Sequence, residues 1–320
     1  MERRKVKILY IAGCDRSGST ILDQILGQIP GWFNIGEASA IWDRGGLLNG
    51  VRAADSLCGC GSVFKDCDFW RRVFLEAFQV APDRFDFTAA ANLKNRCDRL
   101  RYLCLLLNSP ARSLLRPSID AYVDLTRKLY MSVKKISGAE ILVDSSKQPS
   151  HAQILKLTGM ADLFVVHLVR DPRGCAYSWQ KSKPYLDPTV SALPTVHPAR
   201  TSLDWVVQNT AIRTLWQSSE RRYMVLRYED LIACPEESMH RIMEFVAQPY
   251  LSIPFLSDHS VSLKRTHGVS GNPVRFDTGT VRLTLDDRWR AAMRPMDKLL
   301  VTALTGVTLS TYGYDFLNPL

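Results

Sequence analysis

Residues 13–20 read GCDRSGST, close to the phosphate-binding pattern G-x-x-x-x-G-K-[ST]. Gly13 and Gly18 have the required spacing and Thr20 fills the last position, but Ser19 stands where the pattern has lysine. Backbone N–H groups of such a loop, with the unpaired N–H groups of the next helix's first turn, converge on an anion. Ser17, Ser19 and Thr20 add hydroxyl donors, and Arg16 adds a fixed positive charge. In nucleotide hydrolases the missing lysine reaches the β- and γ-phosphates. Without it a nucleoside triphosphate fits less well than a single 5′-phosphate carrying a further group. The competing reading is a Gly/Ser turn that only caps a helix.

A second anion site is suggested by LVRDPRGCAYS, residues 168–178. Arg170 falls at the C-terminal end of an apolar run, where ligands collect in open α/β sheets. Asp171 is expected as an N-cap, with Pro172 at the first helical position and Ser178 two turns on. Alternatively this is a charged helix start in which Arg170 pairs with a carboxylate. A third segment, KRTHGVSGNPVRF at residues 264–276, is a glycine loop made basic by Lys264, Arg265 and Arg275. It reads equally as a solvated surface loop.

These residues need a frame. The short apolar runs at residues 6–12, 141–146, 163–169 and 223–229 predict buried strands, each followed by a helical stretch. Residues 32–35, WFNI, add a shorter one. After the glycine loop, Ile21, Leu22, Ile25, Leu26 and Ile29 recur at helical spacing until Pro30-Gly31 stops them. Apolar strands alternating with helices argue for a parallel sheet covered on both faces. Residues 45–135 are mostly helical in pattern from Phe69 on, and the proline-rich residues 183–200 read as a long loop.

The 320 residues are 46% hydrophobic and 23% charged, enough for a large core, and the formal net charge of +9 suits an anionic ligand. Clustered Lys/Arg with interleaved aromatics are lacking, which argues against nucleic acid as a partner. The apolar run in MERRKVKILYIAG is too short for a signal segment, and no stretch approaches a membrane span. A cytoplasmic protein without a membrane partner is expected. The eight cysteines are irregularly spaced, as expected of reduced thiols. Three of them, Cys58, Cys60 and Cys67, crowd into CGCGSVFKDC. They could join a fourth ligand on zinc, form a disulfide, or pack. The spacing is not a standard zinc pattern and no histidine is near in sequence, so a structural role without metal is expected.

Taken in order, RSGST after the first strand, R-x7-S from Arg170 to Ser178, and the late GNPVR loop make the chain resemble the PAPS-dependent sulfotransferases, in their bacterial-type form. PAPS is 3′-phosphoadenosine 5′-phosphosulfate. The resemblance implies a three-layer, P-loop-like α/β fold: a central parallel sheet flanked by helices, a helical insertion and a C-terminal basic loop. It implies one sulfotransferase-like domain over residues 1–320, with residues 45–135 on the acceptor side. It places the 5′-phosphosulfate on Arg16, Ser17, Gly18, Ser19 and Thr20, and the 3′-phosphate on Arg170 and Ser178. Arg275 would lie beside the cofactor as the basic loop closes. Tyr228, in LRYEDL, would lie near the adenine unless it is a core tyrosine. Many relatives carry lysine where this chain has Arg16. A guanidinium keeps the charge and offers two hydrogen bonds in one plane, but its high pKa excludes it as a proton donor.

The implied reaction moves SO₃ from PAPS to a hydroxyl or amine of a small-molecule or carbohydrate acceptor, releasing 3′,5′-ADP without a metal. By analogy with phosphoryl transfer, nucleophile and leaving oxygen stand in line. Loop N–H groups and Arg16 stabilise the leaving phosphate, and a general base activates the acceptor. Glu37 follows the WFNI strand, at the same sheet edge as the glycine loop, and relatives place a glutamate there as the base. A first-turn glutamate at a helix N-terminus is the alternative. His151 is the rival base, because the cytosolic small-molecule branch uses histidine. His167, inside an apolar strand, reads as a hydrogen-bonded core residue. Asp144, Ser145 and Lys147 sit where strand passes to helix and read as pocket or cap. Two other functions compete: a degenerate P-loop kinase or NTPase with Asp144 on Mg²⁺, and an inert nucleotide-binding protein. The acceptor and the oligomeric state are not written in any motif.

Overall fold

The apolar runs lie side by side in the computed structural model, which describes residues 5–45, 47–48, 51–52, 57–181, 183–184, 192–193, 195–248, 252–253, 255 and 259–315. Among these, five strands make the central sheet: β1 (Val6–Gly13), β2 (Trp32–Gly36), β3 (Ile141–Lys147), β4 (Ala161–Val169) and β5 (Tyr223–Arg227). Their order is β2–β3–β1–β4–β5, and every neighbouring pair is parallel.

Strand side chains alternate between faces, and β1 uses both. Ile8, Tyr10 and Ala12 enter one core, while Leu9 and Ile11 enter the other. The second core is closed by α1 (Ser19–Leu26), whose Leu22, Ile25 and Leu26 are fully buried. The first core is closed by α2 (Asp68–Phe78), α3 (Phe87–Cys97) and α4 (Arg116–Ser137), with Trp70, Phe74, Tyr122 and Tyr130 packed against the sheet. Burial of each such apolar side chain contributes roughly 1.5–3 kcal/mol. Further along, α5 (Pro149–Leu157), α6 (Pro172–Gln180) and α7 (Pro198–Trp216) follow or flank β3 and β4. After β5 come α8 (Tyr228–Ala233) and α9 (Pro235–Phe245), both packed into the second core. A hairpin of β6 (Ser260–Leu263) and β7 (Gly279–Arg282) brackets the basic loop, and α10 (Pro295–Thr311) packs on α6 and α7. The expected three-layer architecture is therefore present: helices on both faces of a parallel sheet.

Three local expectations change. The first helix stops at Leu26 rather than running to Ile29, because Gly27 propagates a helix poorly and Gln28 and Ile29 turn through i→i−3 bonds. β5 ends at Arg227, and Tyr228 already opens α8. Of the loop expected over residues 183–200, residues 185–191 and 194 lie outside the described residues. Lys183–Pro184 and Ala192–Leu193 pair as two short strands, and residues 198–200 begin α7. No described helix is long and apolar enough to cross a membrane.

Candidate active site

At the C-terminal end of β1 the chain must turn sharply into α1, and the loop chemistry follows from that turn. Arg16 holds a left-handed φ of 68° and Gly18 one of 92°. At Gly18 nothing but glycine fits, since a Cβ there would lie 2.5 Å from the ring of Tyr228. The N-terminus of α1 has no side-chain cap and no acidic residue in its first turn, so its N–H groups remain oriented for an external anion. Ser17 Oγ is buried in this loop without a hydrogen-bond partner. The Arg16 guanidinium lies over the Trp179 ring, 4.4 Å from its centroid.

Arg170 reaches the same loop from β4. Its Nη1 donates to the Arg16 carbonyl at 3.1 Å, and its guanidinium stacks on Tyr228 at 4.5 Å from the ring centroid. Tyr228 thus packs between Gly18 and Arg170. Arg170 Nη2 donates to the Asp286 carbonyl at 2.7 Å and faces its Oδ2 at 3.3 Å. Burial would raise the Asp286 carboxyl, but Arg288 and Arg170 outweigh it and hold it at about 2. Asp171 caps α6 as expected, accepting from Arg173 N at 2.8 Å with Pro172 in the first turn. Ser178 is buried on the same helix.

Glu37 follows Gly36 at the end of β2. Gly36 takes φ +78°, and a Cβ on it would strike the Val269 carbonyl at 2.5 Å. That close approach lets the basic loop pair with the sheet edge. Val269 N donates to Ile35 O at 2.8 Å, and Glu37 N donates to Val269 O at 2.8 Å. Two groups hold the Glu37 carboxylate: Lys147 Nζ on Oε1 and Ser270 Oγ at 3.4 Å from Oε2. Lys147 ends β3 in a left-handed conformation, φ 67°, and also faces Asp15 Oδ1 at 3.3 Å. Burial alone would lower the Lys147 ammonium, but the Glu37 and Asp15 carboxylates outweigh it and hold it above its ordinary range. Asn272 N donates to Thr20 Oγ1 at 3.2 Å, joining the basic loop to the glycine loop.

Two cavities meet at Asp15 and Glu37. One, of about 200 Å³, is lined by Asp15, Arg16, Glu37, Trp179, Ser270, Gly271 and Asn272. The other, of about 410 Å³, runs toward the helical insertion past Asp43, Lys94, Asp98, Arg99, Lys147 and Arg200.

Some sequence-predicted residues lie elsewhere. His151 does not face either cavity: it is 1% exposed, with Nδ1 2.7 Å from Asp98 Oδ2 and Nε2 3.1 Å from Tyr130 OH. Burial would raise the Asp98 carboxyl, yet His151 outweighs it and holds Asp98 below its ordinary range. Reaching an acceptor would cost His151 this network, so the rival base is corrected to a core residue. Asp144 is equally enclosed, accepting from Ser146 N at 2.8 Å and Ser146 Oγ at 2.6 Å and from Tyr130 OH. That geometry leaves it no free face for Mg²⁺. Arg275 is not part of the cavity lining. It is buried, and Nη2 donates to Leu57 O at 3.3 Å. His167 is the expected core histidine, bonded to Tyr223 OH at 2.8 Å and Asn209 Oδ1 at 2.7 Å; burial pushes it down to about 4. The cysteine cluster does have a histidine, supplied by the fold rather than by neighbouring sequence: His267 Nδ1 lies 3.3 Å from Cys67 Sγ.

Asp15, Trp179, Ser270 and Asp286 were missed in the sequence. Trp179 adjoins Ser178 and Asp15 sits inside the glycine loop, so position alone could have flagged both. Asp286 carries no motif.

The model for a family described as "Sulfotransferase family" matches residues 9–251. Carbohydrate sulfotransferase 2 of Mus musculus is 24% identical over 192 residues, which cover 49% of this chain and 36% of that protein; the Homo sapiens protein of the same name matches equally. The chain thus spans about a third of the length of these relatives. Among solved structures, the sulfotransferase domain of the Synechococcus PCC 7002 olefin synthase superposes with a TM-score of 0.54 at 21% identity, covering 98% of both chains. The sulfotransferase domain from the curacin biosynthetic pathway does so with a TM-score of 0.54 at 19% identity, covering 98% of this chain and 100% of that one.

Proposed function

Because the chain belongs to the sulfotransferase family, we propose that it moves a sulfuryl group from PAPS to a hydroxyl or amine of a small-molecule or carbohydrate acceptor. The observation that carries this reading is the hydrogen bond from Arg170 to the Arg16 carbonyl, made while the same guanidinium stacks on the ring of Tyr228. It makes one site of the two anion-binding segments. PAPS supplies the sulfuryl group and leaves as 3′,5′-ADP.

The residues present fit such a donor. Ser17 Oγ is buried without a protein partner, and the first turn of α1 presents N–H groups beside it. Together with Ser19, Thr20 and the Arg16 guanidinium they hold the 5′ end and stabilise the charge that grows there during transfer. Arg170 and Ser178 hold the 3′-phosphate. Asp286 occupies Arg170 in this structure, so a 3′-phosphate exchanges one anion for another instead of desolvating a bare guanidinium. Tyr228 forms the wall between both ends.

Glu37 takes the proton of the acceptor. It sits where the two cavities meet, fixed by Lys147 and Ser270. Lys147 keeps its proton and so balances the charge of Glu37 as that carboxylate cycles. The larger cavity, lined by both carboxylates and cations of the helical insertion, suits an acceptor rich in hydroxyls. One domain over residues 1–320, with residues 45–135 on the acceptor side, follows from the same reading.

The test is ligand-dependent melting followed by product analysis. A large upward shift with 3′,5′-ADP and little with Mg·ATP is expected, then 3′,5′-ADP release from PAPS with a sulfonated acceptor. The reverse preference would establish a kinase-like site, and stabilisation without turnover across an acceptor screen would leave only a nucleotide binder.

A further inference from the structure

We propose that Cys58, Cys60, Cys67 and His267 form a tetrahedral zinc site that staples the start of the helical insertion to the basic loop. The donor atoms of these four residues all lie within 4.8 Å of one another. Cys60 and Cys67 Sγ are 3.8 Å apart, and His267 Nδ1 lies 3.8 Å from Cys58 Sγ and 3.3 Å from Cys67 Sγ. A tetrahedron with Zn–S of about 2.3 Å and Zn–N of about 2.05 Å has S···S edges of about 3.8 Å and S···N edges of about 3.5 Å. The observed separations match those edges. They are far longer than a disulfide bond of about 2.05 Å, and all eight cysteines of the chain are free.

The surroundings are those of a structural metal rather than of three packed thiols. Cys58 and Cys67 are buried and Cys60 is half-buried, so the cluster is closed on most sides. Backbone bonds set the knuckle: Cys58 N donates to Ser62 O at 2.8 Å and Gly61 N to Cys58 O at 2.9 Å. The His267 imidazole is held flat on Phe69, centroids 4.9 Å apart, and the His267 backbone carbonyl accepts from Trp70 Nε1 at 2.9 Å. Three thiolates around a divalent ion leave one net negative charge. Arg265 Nη1 on Cys60 O at 3.1 Å and Arg275 Nη2 on Leu57 O at 3.3 Å bring cations beside it. This gives the buried Arg275 a role outside the nucleotide cavity. Soft sulfur donors with one imidazole select zinc over calcium or magnesium, and four protein ligands leave no open position for catalysis.

The ligands come from segments some 200 residues apart in sequence. Two residues beyond His267, Val269 hydrogen-bonds on both sides of Gly36, and Ser270 faces Glu37. The metal therefore fixes the loop that carries part of the active-site wall.

Metal content tests this without any activity assay, and so independently of the sulfotransferase reading. The full chain, purified without chelators or metal-affinity resin, is expected to carry stoichiometric zinc by mass spectrometry. Cobalt exchange is expected to give thiolate-to-cobalt charge transfer with tetrahedral visible bands. Cys60→Ser, at a half-buried ligand, should lose most of the zinc, while His267→Cys, which keeps four ligands, should retain it. Zinc below a tenth of stoichiometric in zinc-supplemented cells, with no cobalt spectrum, would overturn the proposal. So would a Cys60–Cys67 disulfide in protein isolated under thiol-trapping conditions.

Discussion

The ammonium of Lys147 is ion-paired with the carboxylate of Glu37, and the two side chains leave the ends of adjacent parallel strands. Lys147 lies at 6% side-chain exposure and Glu37 at 22%, so the carboxylate is the more accessible partner of the pair. This arrangement presents one carboxylate to the two cavities and keeps its counter-charge behind it.

Glu37→Gln preserves shape and removes the basic oxygen. Turnover is expected to fall about 10²- to 10⁴-fold, the usual contribution of a positioned base. Affinity for 3′,5′-ADP should stay within a few-fold, because Glu37 does not hold the donor. Activity near that of the parent protein would remove Glu37 from the mechanism.

Arg170→Ala should weaken 3′,5′-ADP by about 10- to 100-fold, as expected for loss of a charge-assisted hydrogen bond. Binding of 5′-AMP, which lacks the 3′-phosphate, should change far less. Isothermal titration with both nucleotides reads the difference. Equal losses for the two would place the 3′-phosphate elsewhere.

Gly18→Ala puts a Cβ 2.5 Å from the Tyr228 ring at φ +92°. The backbone cost is about 1–2 kcal/mol before any clash. Lower melting temperature and loss of nucleotide-induced stabilisation are expected. Adding Tyr228→Ala should restore part of the melting temperature by removing the clash. A double variant no more stable than Gly18→Ala alone would show that the ring is not what excludes a side chain there.

Asp23 is buried beside Asn34, whose Nδ2 donates to it at 2.7 Å. Burial, only partly offset by hydrogen bonds from Asn34 and Ser145, raises its carboxyl from 3.8 to about 7. The folded chain then binds this proton more tightly than the unfolded chain does. Its contribution to stability therefore falls as pH rises from 3.8 to about 7 and levels off above. The full span corresponds to about 4 kcal/mol at most. Urea midpoints of the parent protein and Asp23→Asn at about pH 5 and about pH 8 should differ in slope, with the variant flatter. Parallel curves would mean that Asp23 titrates alike in both states.

The sheet was readable because its inner strands are buried on both faces and carry continuous apolar runs, as in residues 141–143 and 163–166. The glycine loop and Arg170 were readable because turn geometry and strand-end position constrain residue type locally. His151 misled for a physical reason: a histidine after a strand has the same local sequence whether it faces a cavity or, as here, Asp98 from 53 residues upstream. Asp286 and His267 act on groups 116 and 200 residues away in sequence, at Arg170 and Cys67. No local pattern encodes either pairing, whereas the position of Glu37 at the sheet edge followed from its place after β2.

The short parallel bridge between Gly36 and Val269 lies on β2, an outer strand of the sheet. It can form only after residue 269 has been synthesised. All five strands precede residue 228, so the whole sheet can be synthesised before the backbone that caps the open rim beside Glu37 has been made. Until that late segment leaves the ribosome, the rim offers unpaired amides to other chains. Closure of the rim and protection from aggregation thus arrive together, later than the sheet itself.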